Sequence, residues 1–321
     1  MIDRSQRLIT VFGGGGFVGR YVCEALLRAG VRLRVAQRDP RRAYFLQPLG
    51  AVGQVSFIAA DVVRPASVPR AVDGAEAVIN LIGILKGRFA AVHVAGARNL
   101  AVAARDAGAL AFVQVSAIGA SAASASAYGR SKAEGEAAIR ATFPSATIIR
   151  PSLVFGPEDD LTNRFARLAS WPVVPVIAPR TCFQPIYVRD LANAIATAAL
   201  DPTAHAGETY ELGGPEVMTM RALNERIAAI AGQSPDFVDL PHFASDLIAR
   251  FGFLPGAPLT RDQWLMLQQD NVASVTGMGL NAFEVTPTPL ASVAGEWLGR
   301  YRQGGRFAPR RLEREQNIPA A

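Results

Sequence analysis

The sequence predicts an α/β fold: a Rossmann-type doubly wound parallel sheet followed by a smaller carboxyl-terminal α/β lobe. Three observations lead there. Short Val/Ile/Leu-rich runs alternate with helix-period segments through the first half of the chain, the pattern of parallel strands joined by crossover helices. The first of these runs passes straight into a glycine cluster that opens a helix. After Pro151 the texture changes to Pro-rich loops such as 171–179, short helices and isolated strands.

A first strand is expected at 8–12. Val18, Val22, Leu26 and Ala29 then recur every three or four residues, and Gly30 stops that helix. Strands follow at 33–37, 55–59 and 77–81. A second long helix runs from about Phe89 through Val92, Gly96, Leu100 and Ala104 to Gly108, and strands at 110–115 and 147–150 complete the train. Such apolar runs indicate strands buried on both faces. In the lobe, helices are expected at 189–200 and 221–231. The expected divisions are a dinucleotide-binding domain over 1–155, a substrate or partner lobe over 156–305 interleaved with the carboxyl edge of the sheet, and a flexible tail over 306–321.

With 321 residues and 50% hydrophobic content, disorder is excluded for the chain as a whole. The net charge of +6 suggests nucleic acid until its location is considered. Residues 1–42 hold nine Arg against Asp3, Glu24 and Asp39, and residues 300–321 hold six Arg against Glu313 and Glu315, so the stretch between them is net acidic. That distribution argues against a nucleic-acid face. It fits one phosphorylated ligand at the amino end, and a docking end, suited to an acidic protein or an anionic lipid surface, at the other. Cys23 and Cys182 show neither disulfide nor metal spacing, and His93, His205 and His242 share no pattern, so no metal is expected. No signal peptide or membrane span is read, which gives the expectation of a cytoplasmic protein, with peripheral contact on the cytoplasmic face of the inner membrane as an option.

The glycine cluster is Gly13-Gly14-Gly15-Gly16-Phe17-Val18-Gly19. Between a strand and a helix, Gly13 can take the tight turn, Gly16 can let a pyrophosphate approach backbone N–H groups, and Gly19 can permit close helix-to-strand packing. Arg38 stands just beyond the second strand. A free ribose 2′-hydroxyl is usually met there by Asp or Glu and a 2′-phosphate by a cation, so Arg38, with Arg41 or Arg42, favours NADP(H) over NAD(H). The alternative is a solvated Arg-rich turn with Asp39 on the ribose. Asp61 and Val62 follow the third strand, where adenine can be met; Leu81 and Gly83 follow the fourth, at the middle of the cofactor. Phe17, Val18, Val115, Pro151 and Val154 complete the expected cofactor contacts.

Tyr128 and Lys132 lie four residues apart on one helix face. Lys132 can lower the phenol's pKa and hold a nicotinamide ribose, while Tyr128 acts as general acid or base. The competing reading is a surface Tyr beside a solvated Lys. Only two of the 33 basic residues are Lys, which weighs for function.

These features resemble an extended short-chain dehydrogenase/reductase: the glycine fingerprint, Tyr128-x-x-x-Lys132, and Arg150-Pro151-Ser152-Leu153-Val154-Phe155-Gly156-Pro157. In active members a second hydroxyl ending the fifth strand polarises the substrate carbonyl. Here the strand ends Val115-Ser116-Ala117, and Ala117 cannot donate a hydrogen bond. Ser116 is the candidate substitute, with Ser121, Ser124 and Ser126 behind it. A narrower resemblance, over nearly the whole chain, is to the nucleotide-binding accessory subunits of respiratory complex I and their bacterial relatives. It rests on residues 128–136 (YGRSKAEGE), 155–165 (FGPEDDLTNRF), 184–190 (QPIYVRD), 259–270 (LTRDQWLMLQQD) and 287–290 (PTPL). That resemblance implies a tightly held NADPH with a structural role, and docking on the peripheral arm of complex I near the membrane.

In the lobe, Asn163, Arg164, Gln184, Tyr187 and Asp190 are candidate polar groups for a substrate pocket; the competing readings are that Asn163 caps or bridges loops, that Gln184 satisfies backbone, and, favoured for Asp190, that it caps the helix over 191–200. Leu240, Phe243, Leu247, Phe251 and Leu254 form a helical stripe that is expected in the core, with a docking surface including Phe253 and Pro255 as the second reading. Three functions remain open: a cofactor-binding accessory protein, an active NADP-dependent oxidoreductase or epimerase on a nucleotide sugar or quinone precursor, and an NADP(H) redox sensor.

Overall fold

A computed structural model describes residues 4–251, 259–274 and 278–302. Its centre is a seven-stranded, all-parallel sheet. The first six strands are β1 (Leu8–Phe12), β2 (Arg32–Gln37), β3 (Val55–Ala59), β4 (Ala77–Asn80), β5 (Ala111–Val115) and β6 (Thr147–Pro151), each within two residues of its expected bounds. The seventh, β7 (Thr209–Leu212), comes from the second half of the chain and pairs with β6 in the register Thr209 to Ile148. Spatial order is β7-β6-β5-β4-β1-β2-β3, so the chain reverses direction of travel between β1 and β4. In such sheets the crevice beyond the carboxyl ends of the strands at that switch is where a ligand binds.

The helices are α1 (Phe17–Arg28), α2 (Pro69–Val72), α3 (Ala97–Asp106), α4 (Ala127–Thr142), α5 (Asp160–Leu168), α6 (Val188–Leu200), α7 (Met220–Ile230), α8 (His242–Arg250) and α9 (Arg261–Met266), with shorter turns near the end. The expected long helix from Phe89 begins instead as a π-helical segment, Ala90–Gly96, which runs into α3. Two apolar cores sandwich the sheet. One joins α1 and α6 around Ile9, Val11, Leu26, Leu191 and Ile195, and the other joins α3 and α4 around Phe12, Val78, Leu100, Phe112 and Ile139.

Two expectations for the lobe are corrected. Phe243, Leu247 and Phe251 face solvent, 76%, 55% and 53% exposed, because α8 buries its small-residue side, Ser245 and Ala249. Leu240, just before α8, is half-buried, while Leu254 of the stripe and Phe253 and Pro255 of the docking-surface reading lie outside the described residues, as does the tail over 306–321. Asp190 does not cap α6. The helix begins at Val188, and the Asp190 carboxylate accepts from the Thr288 N–H (2.7 Å) and hydroxyl (3.1 Å), tying the 287–290 stretch to the helix.

Candidate functional site

The glycine loop has a distinct task at each position. Gly13 adopts φ +83°, which side chains disfavour, and its N–H bonds to Ala36 O at 3.1 Å. At Gly19 a Cβ would fall 2.3 Å from Gly13 O, so only glycine lets α1 rest on the turn. Gly16 is the exposed N-cap of α1 and contributes no side-chain cap, leaving first-turn N–H groups directed outward, where they favour an anion. Phe17 packs beneath Gly156 (3.2 Å from a Cβ there) and meets Tyr21 edge-on, whereas Val18 is half-buried against the first core.

The end of β2 shows a residue that sequence reasoning passed over. Gln37 Oε1 accepts from the Gly15 N–H at 3.1 Å while Gln37 Nε2 donates to Asp39 O at 2.6 Å, bridging the loop to the strand end. The Asp39 carboxylate is engaged by the Arg41 N–H (3.2 Å), capping the turn Pro40–Leu49, which weakens the case for Asp39 as a ribose ligand. Arg38, Arg41 and Arg42 are exposed and form no ion pair among the described residues. Other amino-terminal arginines are occupied: Arg7 by Glu76 (2.7 Å), Arg20 by Glu158, and Arg28 by Glu24.

Past β3, the Asp61 carboxylate accepts from the Val63 N–H (3.1 Å), and Val62 is buried against Gly96, its carbonyl held by Asn99 (2.8 Å). Past β4, Leu81 N–H bonds to Phe12 O, and Gly83 lies exposed with a would-be Cβ 3.6 Å from Lys132 Nζ.

Tyr128 and Lys132 share the inner face of α4, as expected. Lys132 is buried, donates from Nζ to Val115 O at 3.1 Å, and sits 5.8 Å from the centre of the Tyr128 ring. Desolvation pushes its pKa down to about 8, against an upward pull from Glu136, itself clamped by two hydrogen bonds from Arg150 (3.0 and 2.6 Å). Burial pushes the Tyr128 phenol up to about 12, the opposite of the expected lowering, because Nζ is turned toward Val115 O and burial of the ring dominates.

His93, set aside for lack of spacing, stands against this pair. Its ring meets the Tyr128 ring edge-on at 5.5 Å and stacks on Phe89. Nε2 accepts from the Ile84 N–H (3.0 Å), so Nδ1 carries the proton and donates to Ser131 Oγ (2.9 Å), whose hydroxyl donates to Tyr128 O (2.8 Å). Burial and then Lys132 push the imidazole down to about 4, keeping it neutral.

Ser116 is buried and its Oγ has no partner among the described residues. Of the other hydroxyls, Ser121 accepts from Ala123 N–H, and Ser126 caps α4 and donates to Asp262, whereas Ser124 lies in the cleft wall against Gly129. Pro151 is buried, its carbonyl accepting from Ile118 N–H, and Val154 pairs with Ile186 in a short two-stranded ladder.

The lobe candidates have structural partners. Gln184 spans Gly214 O (2.8 Å) and the Ala273 N–H (3.0 Å). Asn163 donates to Asp159 O and accepts from Arg300 and Tyr301. Tyr187 is the N-cap of α6 and lies 5.5 Å from the Phe155 ring, while Arg164, on α5, does not line the cleft. The cleft over Tyr128 and Lys132 is instead walled by Ala117, Ile118 and Gly119 on one side and Met266, Gln269, Asp270 and Asn271 on the other. It holds about 40 Å³, room for about three water molecules. Among the described residues, no group of His, Cys, Asp and Glu is arranged to hold a metal, and no helix is long and apolar enough to cross a membrane.

A parallel sheet with a glycine loop at its switch point and a Tyr–Lys pair across the crevice is matched by a family model over residues 9–213, described as the NAD dependent epimerase/dehydratase family. The chain belongs to that family. Its relatives include the mouse protein "NADH dehydrogenase [ubiquinone] 1 alpha subcomplex subunit 9, mitochondrial", 36% identical over 302 residues that cover 91% of this chain and 80% of that one. The chain thus belongs with the complex I accessory subunits named in the sequence resemblance. A "Ceramide reductase" of Caulobacter vibrioides is also 32% identical, covering 87% and 84%. Sequence reasoning had not anticipated this relative. Among solved structures, an NADPH-dependent quinone oxidoreductase of Escherichia coli in complex with NADPH shares the fold, with a TM-score of 0.73 at 20% identity over 90% of this chain and 99% of that one.

Proposed function

We propose that the chain is an NADP(H)-binding accessory protein whose dinucleotide is resident and mainly structural, and that it docks on the peripheral arm of a complex I on the cytoplasmic face of the inner membrane. The observation that carries this reading is the narrowness of the cleft. Ligand sites for small molecules usually offer about 300–1,000 Å³, whereas the space over Tyr128 holds about 40 Å³ and is walled by Met266, Gln269, Asp270 and Asn271. The hydroxyl expected opposite Tyr128 is replaced by Ala117.

The residues present fit a phosphorylated dinucleotide. The uncapped first turn of α1 suits a pyrophosphate; Arg38, Arg41 and Arg42 just after β2, without an ion pair among the described residues, suit a 2′-phosphate; and Ser116 Oγ, likewise without a partner among them, suits a polar group at the nicotinamide end. The chemistry that NADP(H) supplies when bound is hydride transfer. Tyr128, protonated at neutral pH, is a proton donor held by its own helix, and Lys132 is a desolvated cation beside Gly83. Location and partner rest on the complex I relatives. Purification of the protein from its own cells tests the reading: stoichiometric NADP(H), co-purification with complex I subunits and negligible turnover are expected, and robust turnover that vanishes in Tyr128→Phe overturns it.

A second reading has a specific observation behind it. Among the described residues Lys132 is the only basic side chain lining the cleft, so a nucleotide-sugar substrate would find no second cation there for its diphosphate. An uncharged carbonyl compound is the better fit, in line with the Caulobacter relative's name. NADPH-dependent reduction of a lipid ketone, abolished in Tyr128→Phe, would establish it.

A further inference from the structure

We propose that Asp262 is a latch that holds the segment 260–271 over the nicotinamide end of the site, and that this latch slows the departure of the dinucleotide. The inference rests on the reading of a resident cofactor and names what makes it resident.

The segment begins at α9, whose own N-terminus is closed by a reciprocal cap: Gln263 N–H donates to Thr260 Oγ1 (3.2 Å) and Thr260 N–H to Gln263 Oε1 (3.0 Å). The cap frees Asp262, in the first turn, to reach elsewhere. Its carboxylate crosses to α4 and accepts from the Ala127 N–H (2.6 Å), the Tyr128 N–H (3.1 Å) and the Ser126 hydroxyl (3.1 Å). These N–H groups are the ones that the cap of α4 leaves open, because Ser126 Oγ serves Gly129 N–H instead (3.1 Å). One carboxylate therefore sits at the N-termini of two helices, where negative charge is stabilised by both dipoles.

The two ends of the segment are held differently. Its far end is fixed to the lobe by Cys182 N–H to Asp270 (2.8 Å) and Thr181 hydroxyl to Leu267 O (2.7 Å), and to the end of β6 by Ser152 hydroxyl to Asn271 (2.7 Å). Its near end is tied to the helix of Tyr128 and Lys132 by hydrogen bonds that the Asp262 carboxylate alone accepts, among the described residues. Met266 and Gln269 lie between these anchors and form the outer wall of the cleft. Release of Asp262 frees that wall on one side while leaving the lobe attached.

The test loads the full-length protein with NADPH, mixes it with excess NADP+, and follows the loss of bound-NADPH fluorescence. Asp262→Ala is expected to speed release by ~10–100-fold, the range for losing charged hydrogen bonds. Asp262→Asn is expected to fall between it and the wild type, and Asp262→Glu to restore slow release. Asp190→Asn, which loosens the lobe at Thr288 instead, is expected to release NADPH at the wild-type rate. Wild-type release rates in both Asp262→Ala and Asp262→Asn, or equal acceleration in Asp190→Asn, overturn the latch. If Asp262→Ala fails to fold, the Asn and Glu variants decide by the same criterion. A wild-type protein that binds no NADPH overturns the resident-cofactor reading itself. In that case the latch is judged by amide exchange at Ala127 and Tyr128, which Asp262→Asn must accelerate and which, unchanged, overturns it separately.

Discussion

Replacing Lys132 by Met makes the nucleotide-free protein more stable at pH 7. Lys132 has its ammonium buried, and its pKa falls from 10.5 to about 8, which corresponds to about 3 kcal/mol against the charged form in the folded state. Met fills a similar volume without that cost. The substitution loses the bond from Nζ to Val115 O, which contributes about 1.5 kcal/mol, but Val115 O keeps its bond from Gln114 Nε2 at 2.8 Å and is not left unpaired. The net expectation is a gain of about 1–2 kcal/mol, or roughly 2–4 °C in Tm for a chain of this size. Urea unfolding of stripped protein at a series of pH values measures it. Because the folded pKa is depressed, the unfolded chain binds more protons between pH 8 and 10.5, so wild-type stability rises relative to the variant across that window. The advantage of Met is full below about pH 8 and gone above 10.5. A variant less stable than wild type at pH 7, or a difference that stays flat to pH 10.5, refutes the argument that Lys132 is held at a cost.

Arg38→Ala lowers NADPH affinity by about 10–100-fold and leaves NADH affinity unchanged, as expected for one charge-assisted contact to a 2′-phosphate; equal losses for both nucleotides in fluorescence titrations would remove Arg38 from that role. Gly19→Ala places a Cβ 2.3 Å from Gly13 O, so the turn must shift; loss of nucleotide binding and a fall of about 2 kcal/mol or more in unfolding free energy are expected. Phe243→Ser with Leu247→Ser changes stability by less than about 0.5 kcal/mol, because both side chains face solvent on α8; a loss above about 2 kcal/mol in the same urea assay would return that stripe to the core.

The strands β1 to β6 were legible because a sheet covered on both faces turns each strand into an apolar run, and the glycine loop was legible because three backbone constraints fall within seven residues. The edge strand β7 was not distinguished from the lobe's isolated strands, since Thr209 and Glu211 alternate with Tyr210 and Leu212 in a half-exposed pattern. Periodicity alone cannot say which face of a helix is inside. On α8 the large side chains lost to Ser245 and Ala249, which allow closer packing. Asp190 obeyed a partner 98 residues away instead of its own helix. Gln37, His93 and Asp262 escaped for the same reason: each depends on a distant partner, Gly15, Ser131 and Ala127, at 22, 38 and 135 residues, and only Asp262 fell within a stretch marked by family resemblance. The amino-terminal charge, read as a whole, mixed structural ion pairs at Arg7, Arg20 and Arg28 with Arg38, Arg41 and Arg42, which form no ion pair among the described residues.

The central claim is a resident NADP(H) beneath a closed strap. Native mass spectrometry of the protein isolated from its own cells, with the released nucleotide identified, tests it most directly. The account predicts one NADP(H) per chain that survives desalting; a chain that arrives empty, or carries NAD(H) in its place, contradicts it.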